Sequence, residues 1–216
     1  MKLYMTPGSC STGIHILLEE LELFFEAHLV NLLAGDNVKP AYLAINPRGS
    51  VPALVTDEGE ALTDFQSIAV WLAARYPKRA LLPTQEDERA RVLAVLEYVL
   101  AVIHGEGFTR IFVSGQYAAD PVEKRTVTAE GRAIVERGFA RVVDMLSGPT
   151  YVAQRFSVAD AALFYVEFWA DREGLPLPPR LAHHYAAMLQ RPAVRQVLGE
   201  EGYHSTLRAH PATSPA

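Results

Sequence analysis

Cys10 is the only cysteine in the chain, and it sits in the run Thr6-Pro7-Gly8-Ser9-Cys10-Ser11, between a short apolar stretch and a segment of helical periodicity. A thiol at the mouth of a helix feels the positive end of the helix dipole and its unpaired N–H groups. Both favour thiolate and lower the pKa from about 8.5. Such a cysteine is a nucleophile or forms a mixed disulfide; the competing reading is a small, inert, buried hydrophobe. Ser9 and Ser11 are the neighbouring hydroxyls, each able to serve chemistry or to cap the helix. Asp64, after Thr63, reads as a helix N-cap. His15 reads as structural on the first helix. His183-His184 has no acid or cysteine at ligand spacing and reads as surface.

These residues need elements to hold them. Leu3-Tyr4-Met5 reads as a brief strand stopped by Thr6-Pro7-Gly8. Ser11-Thr12 then caps a helix carrying Ile14, Leu17, Leu18 and Leu21 at helical spacing. Phe25 to Leu29 alternates like a half-buried strand. Val51 to Val55 is another, joined through Asp57-Glu58-Gly59-Glu60 to Ala61-Leu62, and a helix runs from Asp64 to about Arg75. The order β-α-β, hairpin, helix predicts a small α/β layer with a mixed sheet. From Glu86 the texture is helical. One segment runs to about Phe112, a second starts at Asp120-Pro121, and Ser157-Val158-Ala159-Asp160 reads as a capping box. Shorter helices cover 181–189 and 193–198. Trp71, Trp169 and the helically spaced Phe and Tyr residues read as core.

Composition narrows the classes. Of the 216 residues, 50% are hydrophobic and 21% charged, which excludes intrinsic disorder. A lone cysteine excludes an internal disulfide and a multi-cysteine zinc site, and argues against a secreted disulfide framework. The net charge of −5 argues against nucleic acid as a partner. No stretch approaches about 18 uninterrupted apolar residues, so no membrane span is expected. The opening Met1-Lys2-Leu3-Tyr4-Met5 lacks an apolar leader, which makes the cytoplasm the expected compartment.

The run Thr6-Pro7-Gly8-Ser9-Cys10-Ser11, with His15 a turn further on, resembles the opening of bacterial beta-class (cysteine-type) glutathione S-transferases. Four more stretches are similar to that family, in the same order: Asn46-Pro47-Arg48-Gly49-Ser50-Val51-Pro52-Ala53-Leu54; Leu62-Thr63-Asp64 followed by Ile68-Ala69-Val70-Trp71-Leu72; Ser157-Val158-Ala159-Asp160; and Arg191-Pro192-Ala193-Val194. The resemblance spans residues 1 to about 198. It implies an α/β plus all-α architecture: a thioredoxin-like glutathione-binding domain over 1–79, a linker over 80–84, and an all-helical domain over 85–204 with an electrophile pocket. Residues 205–216 read as a disordered tail. It also implies a homodimer with glutathione as co-substrate and a hydrophobic electrophile as the second substrate, no metal, and a role in detoxification.

Site roles follow from the same resemblance. Cys10 and Ser11 hold the catalytic positions. Val51, before Pro52, holds the position whose backbone pairs with the cysteinyl unit of glutathione, and a cis Val51–Pro52 bond would turn its N–H and C=O toward the ligand. Asp64 stands where the family keeps an acid for the γ-glutamyl ammonium. Phe65 replaces the usual small residue, often serine, so a hydroxyl contact to the γ-glutamyl carboxylate is lost while the backbone N–H stays. His104 is the candidate for the histidine that faces the cysteine. Matching Gly107-Phe108 to the family's Gly-Tyr puts Gly105 at that position instead. One residue is about 100° around a helix, and a local bulge would compensate. Phe108, Phe112, Tyr117 and Phe168 are candidates for the electrophile pocket.

Two reaction versions fit: transfer of the glutathione thiolate to an electrophilic carbon, and a glutaredoxin-like mixed disulfide at Cys10 resolved by an external thiol. The alternative from another class is a non-catalytic ligand-binding or regulatory protein on the same fold.

Overall fold

The structure is a computed structural model that describes residues 1–212. The chain divides into two compact units: one of residues 1–82 with the segment from 186 onward, the other of residues 83–185.

The first unit is built on four strands, β1 (Lys2–Met5), β2 (Glu26–Leu29), β3 (Ala53–Val55) and β4 (Ala61–Thr63), in the order β2-β1-β3-β4. β1 and β2 run parallel, and the other pairs are antiparallel. The parallel pair needs a crossover, which α1 (Ser11–Glu20) supplies, with α2 (Pro40–Leu43) and α3 (Phe65–Arg75) completing the layer. Leu3 and Met5 alternate inward from β1, and Ile14, Leu17 and Leu18 of α1 lie fully buried. This is the mixed sheet that the element order predicted, in the thioredoxin-like form that the resemblance implied. Trp71 of α3 is only half-buried and meets Tyr76 edge-on.

The second unit is helical. α4 (Glu86–Tyr98), a π-wound stretch (Val99–Phe108) and α5 (Thr109–Phe112) form one continuous run of 27 residues. It packs on α6 (Pro121–Met145) and α7 (Val158–Glu173). By length and composition that run could cross a membrane, but here Val92, Val95, Leu96, Val99, Ile103 and Phe108 form a buried stripe. Gly138 lets α6 approach closely, since a Cβ there would lie 2.7 Å from Ile103. Asp120 caps α6 through the N–H groups of Val122 and Glu123. Ser157 and Asp160 close a reciprocal box on α7. The chain continues through α8 (Pro179–Gln190), α9 (Pro192–Glu200) and α10 (His204–Ala209).

Three expectations need correction. The helical domain does not run as one body to 204. The boundary falls inside α8, and α9 packs on α1 in the first unit, because Arg191 meets Glu20 at 2.6 and 2.8 Å and α9 carries Val194, Val197 and Leu198 on one buried face. The tail is not disordered from 205: α10 forms there and buries Thr206, while residues 213–216 of that expectation lie outside the described residues. Ser11 and Thr12 are not caps of α1; Cys10 itself is the N-cap residue, without a side-chain cap bond.

The reading of His183-His184 as surface also fails for its second member. His183 is exposed, whereas His184 is fully buried, its Nδ1 2.8 Å from Glu167 and its Nε2 3.1 Å from Asp160. The acids come from α7, the preceding helix, 17 and 24 residues upstream, so spacing within the His-His pair could not show them. The two carboxylates push the His184 pKa up, while burial pushes Glu167 up to about 7. Glu167 therefore holds a proton in the folded chain that it loses at lower pH when unfolded. Its share of the stability is full below about pH 4.5 and is lost as pH rises through 7. His184 likewise favours the folded state until the pH passes its raised pKa. Unfolding free energy should therefore fall from about pH 5 toward 9, and Glu167→Gln should flatten the fall between 5 and 7. Asp160→Asn should cost roughly 3–5 kcal/mol, since it breaks a buried pair. Denaturant titrations across pH measure all three effects.

Candidate functional site

Cys10 lies 8% exposed at the start of α1. Its Sγ–H donates to the Val51 carbonyl, with sulfur and oxygen 3.2 Å apart. The Val51–Pro52 bond is cis. Among the described residues nothing accepts from the Val51 N–H.

The expectation of a lowered thiol pKa fails. Burial pushes Cys10 from 9.0 up to about 12, against the opposing pull of the Cys10 and Ser11 N–H groups. The helix terminus acts as anticipated, but enclosure outweighs it, and the thiol stays protonated at neutral pH.

Ser11 is fully buried, and its hydroxyl closes the loop. It donates to the Thr6 carbonyl at 3.0 Å, accepts from the Thr6 N–H at 3.1 Å, and meets Ser9 Oγ at 2.6 Å. Its geometry is that of a loop brace. Gly8 belongs to the same loop with φ +73°, and a Cβ there would lie 1.8 Å from the Tyr203 hydroxyl. Only glycine fits both demands.

Sequence reasoning missed the group that fixes this loop. The Glu201 side chain, 2% exposed, accepts from the Gly8 N–H at 2.7 Å and the Thr12 hydroxyl at 2.7 Å, and meets His15 Nδ1 at 2.9 Å. These bonds flank Cys10 on both sides in sequence. His15 is thereby structural, as read; its Nε2 meets Glu200 at 3.2 Å. His15, Glu19 and Glu200 also each bring one possible metal-ligand atom within 4.8 Å of the others. Nothing near Glu201 in sequence marks its role, because its partners lie some 190 residues upstream.

The turn before Val51 is equally built. Buried Asn46 donates from Nδ2 to the Ser50 carbonyl at 2.6 Å, the Tyr42 hydroxyl donates to the same oxygen at 2.6 Å, and Asn37 donates to the Gly49 carbonyl at 2.8 Å. Asp64 caps α3 by accepting from the Ser67 N–H at 3.3 Å, and its Oδ2 meets Arg48 at 3.2 Å. The register Ala53↔Thr63 puts Pro52 and Asp64 at one end of the β3–β4 pair. Phe65 is 4% exposed. Its ring is therefore core.

Cys10, Ser11, Val51, Pro52, Asp64 and Phe65 all belong to the first unit. His104 belongs to the second, on the π-wound stretch. Its Nδ1 meets the Tyr165 hydroxyl at 3.0 Å, and its ring stands edge-on to Tyr165 and Trp169. Burial pulls its pKa down to about 4, so it is neutral at neutral pH. Phe108 and Phe112 extend this aromatic group around Trp169. Phe108 and Phe168 are fully buried, while Phe112 and Tyr117 are 48% and 44% exposed.

Residues 8–75 match the family model described as the glutathione S-transferase N-terminal domain. Over 214 residues the chain is 35% identical to glutathione S-transferase GstA of Escherichia coli O157:H7, covering 94% of this chain and 99% of that one. The chain belongs to the glutathione S-transferase family. It is also 32% identical to a maleylacetoacetate isomerase of Pseudomonas aeruginosa, over 100% of this chain and 98% of that one. Its fold matches a solved glutathione transferase homologue from Sulfitobacter with bound glutathione, at TM-score 0.86 and 29% identity, covering 92% and 97% of the two chains. The transferase fold expected from sequence is the one observed, and relatives of this kind bear out an enzyme using glutathione as co-substrate over the non-catalytic alternative.

In this transferase the Glu201 carboxylate should govern how Cys10 is held. Glu201→Ala strands three donors and should cost roughly 2–4 kcal/mol of stability. It should also speed alkylation of Cys10 by iodoacetamide, because the loop that encloses the thiol loosens. Denaturant titration and timed intact mass measure the two effects.

Proposed function

We propose that the protein is a cysteine-type, beta-class transferase that adds the thiolate of glutathione to hydrophobic electrophiles, and that Cys10 acts as a hydrogen-bond donor rather than as a nucleophile. The observation that carries this reading is a protonated thiol set against the backbone of Val51: Cys10, with its pKa pushed up to about 12, donates to the Val51 carbonyl, and the Val51 N–H has no partner among the described residues. A short extended peptide pairs naturally with such a backbone edge. Its thiol would then meet the start of α1, where the helix dipole, the local N–H groups and the Cys10 S–H all favour the anion. A donor that never ionises keeps its proton available for the ligand's sulfur, whereas a neighbouring thiolate would repel it.

The mixed-disulfide version asks for a Cys10 thiolate open to attack. Enclosure and the raised pKa both weigh against it, so transfer is the favoured version. Asp64, at the N-terminus of α3, supplies the acid for the γ-glutamyl ammonium. In the second unit, the partly exposed rings of Phe112 and Tyr117 supply apolar surface for the electrophile. A homodimer completes the reading. It is supported by the most apolar window of the 86–112 run, only 39% of which is buried within the chain.

Cys10→Ala should raise the pKa of the bound glutathione thiol and lower kcat/KM roughly 10- to 100-fold, the weight of one hydrogen bond to a charged group. Thiolate absorbance of the binary complex against pH, with turnover of an aryl halide, measures both. Unchanged values would remove Cys10 from the reaction, and native protein that turns over no electrophile with glutathione would defeat the whole reading.

A further inference from the structure

His15 is held more closely than bracing the Cys10 loop requires. Its ring is almost fully buried, and Nδ1 lies 2.9 Å from Glu201 Oε1, while Glu201 Oε2 takes the Gly8 and Thr12 donors. A carboxylate only accepts, so the proton is fixed on Nδ1. Phe25 stands edge-on to the ring and sets its plane. Nε2 is then aimed at acids. Glu200 Oε2 lies 3.2 Å from it, and Glu19 joins them, with one ligand atom from each of the three residues within 4.8 Å of the others. A neutral ring in this pose turns a lone pair toward two carboxylates.

The helices add charge of the same sign. His15 and Glu19 are four residues apart on α1 and share a face. Glu19 stands one residue before the end of α1, and Glu200 ends α9. The C-terminus of a helix carries the negative end of its dipole and favours a cation. Neither helix has a basic residue in its last turn. Gln196 donates to Glu200 Oε1 at 3.0 Å, which brings a neutral amide and leaves Oε2 to the cluster.

We propose that His15 Nε2, Glu19 and Glu200 bind one divalent transition-metal cation such as zinc, with Glu201 as the outer partner that orients the imidazole. One nitrogen with two carboxylate oxygens suits zinc and its first-row neighbours, whereas calcium and magnesium take oxygen ligands. Zinc stands about 2.0–2.2 Å from such ligands, so small side-chain rotations close the cluster on it. The Glu200 side chain is 49% exposed, which gives the ion an entry path and leaves a coordination position for water. A carboxylate that holds the far N–H of a metal-bound histidine fixes its tautomer and raises its basicity; Glu201 is placed to do this. The ion ties α1 to α9 within the first unit. None of its three ligands is assigned to glutathione, so the site stands or falls independently of the transferase reading.

Full-length protein stripped with a chelator and titrated calorimetrically with zinc chloride should take up one equivalent, and saturating zinc should raise Tm. Glu19→Gln and Glu200→Gln alter side chains that reach solvent and leave the Glu201 bonds in place, so both variants should fold. Each should weaken zinc binding by at least the roughly 10- to 100-fold that loss of an outer partner costs, and neither should gain Tm at the zinc concentration that saturates the native chain. Cobalt chloride should give the visible absorption of a nitrogen-ligated ion in the native chain and not in the variants. Native protein that binds no zinc overturns the site and leaves His15 as an ion-pair partner of Glu200. Zinc binding that either variant keeps undiminished overturns it too, because the ion then sits elsewhere. Calcium chloride binding as tightly as zinc overturns the part given to His15.

Discussion

The Glu201 carboxylate is the contact on which the site depends. It is buried, and it is met by a backbone N–H, a hydroxyl and an imidazole from the loop and helix around Cys10. A buried carboxylate is costly unless its oxygens are well bonded, so this one persists only because the loop supplies those donors, and the loop keeps its shape only because the carboxylate is there. That mutual dependence explains why α9 and the turn after it return to the first unit instead of completing the helical one. The Arg191–Glu20 pair reinforces the same return.

A loop held this firmly encloses what it carries. A helix N-terminus favours an anion by about 0.3–1 kcal/mol, rising to about 2 in partly buried settings. Removing a thiolate from water costs several kcal/mol. For Cys10 the second effect wins, and the thiol becomes a standing donor. The same rule governs His104, where burial keeps the ring neutral. It acts in reverse at His184, where two buried carboxylates overcome desolvation and hold a proton inside the second unit. These are three titratable groups with three outcomes, each set by whether a partner accompanies the burial.

The sequence was most legible where the chemistry is local. The alternation of β1, the Asp120-Pro121 helix start and the Ser157–Asp160 box all appear where their residues suggested, because each depends on neighbours within a few positions; β2 forms where expected but is mostly exposed instead of alternating. Asp64 as the cap of α3 was legible for the same reason, whereas the ligand roles given to Val51-Pro52 and Asp64 came from the resemblance alone. What stayed hidden depends on residues far apart. Glu201 meets Gly8, and His184 meets Glu167 and Asp160, and no spacing rule links them. The burial of Cys10 and Phe65 was hidden too, since enclosure belongs to the assembled unit and not to any one segment. The pairing of Arg48 with Asp64 needed the β3–β4 register before it could be seen. The π-wound stretch around His104 lies where the resemblance asked for a bulge, but glycines at 105 and 107 alone do not specify one.

The central claim is that Cys10 in the free enzyme is a protonated donor and not a thiolate. It is tested most directly by titrating that thiol, the only one in the chain, through the thiolate absorbance difference between the native protein and Cys10→Ser. The account predicts no ionisation below about pH 10, consistent with a pKa near 12. A midpoint below about pH 8, the range of reactive cysteines, would contradict it.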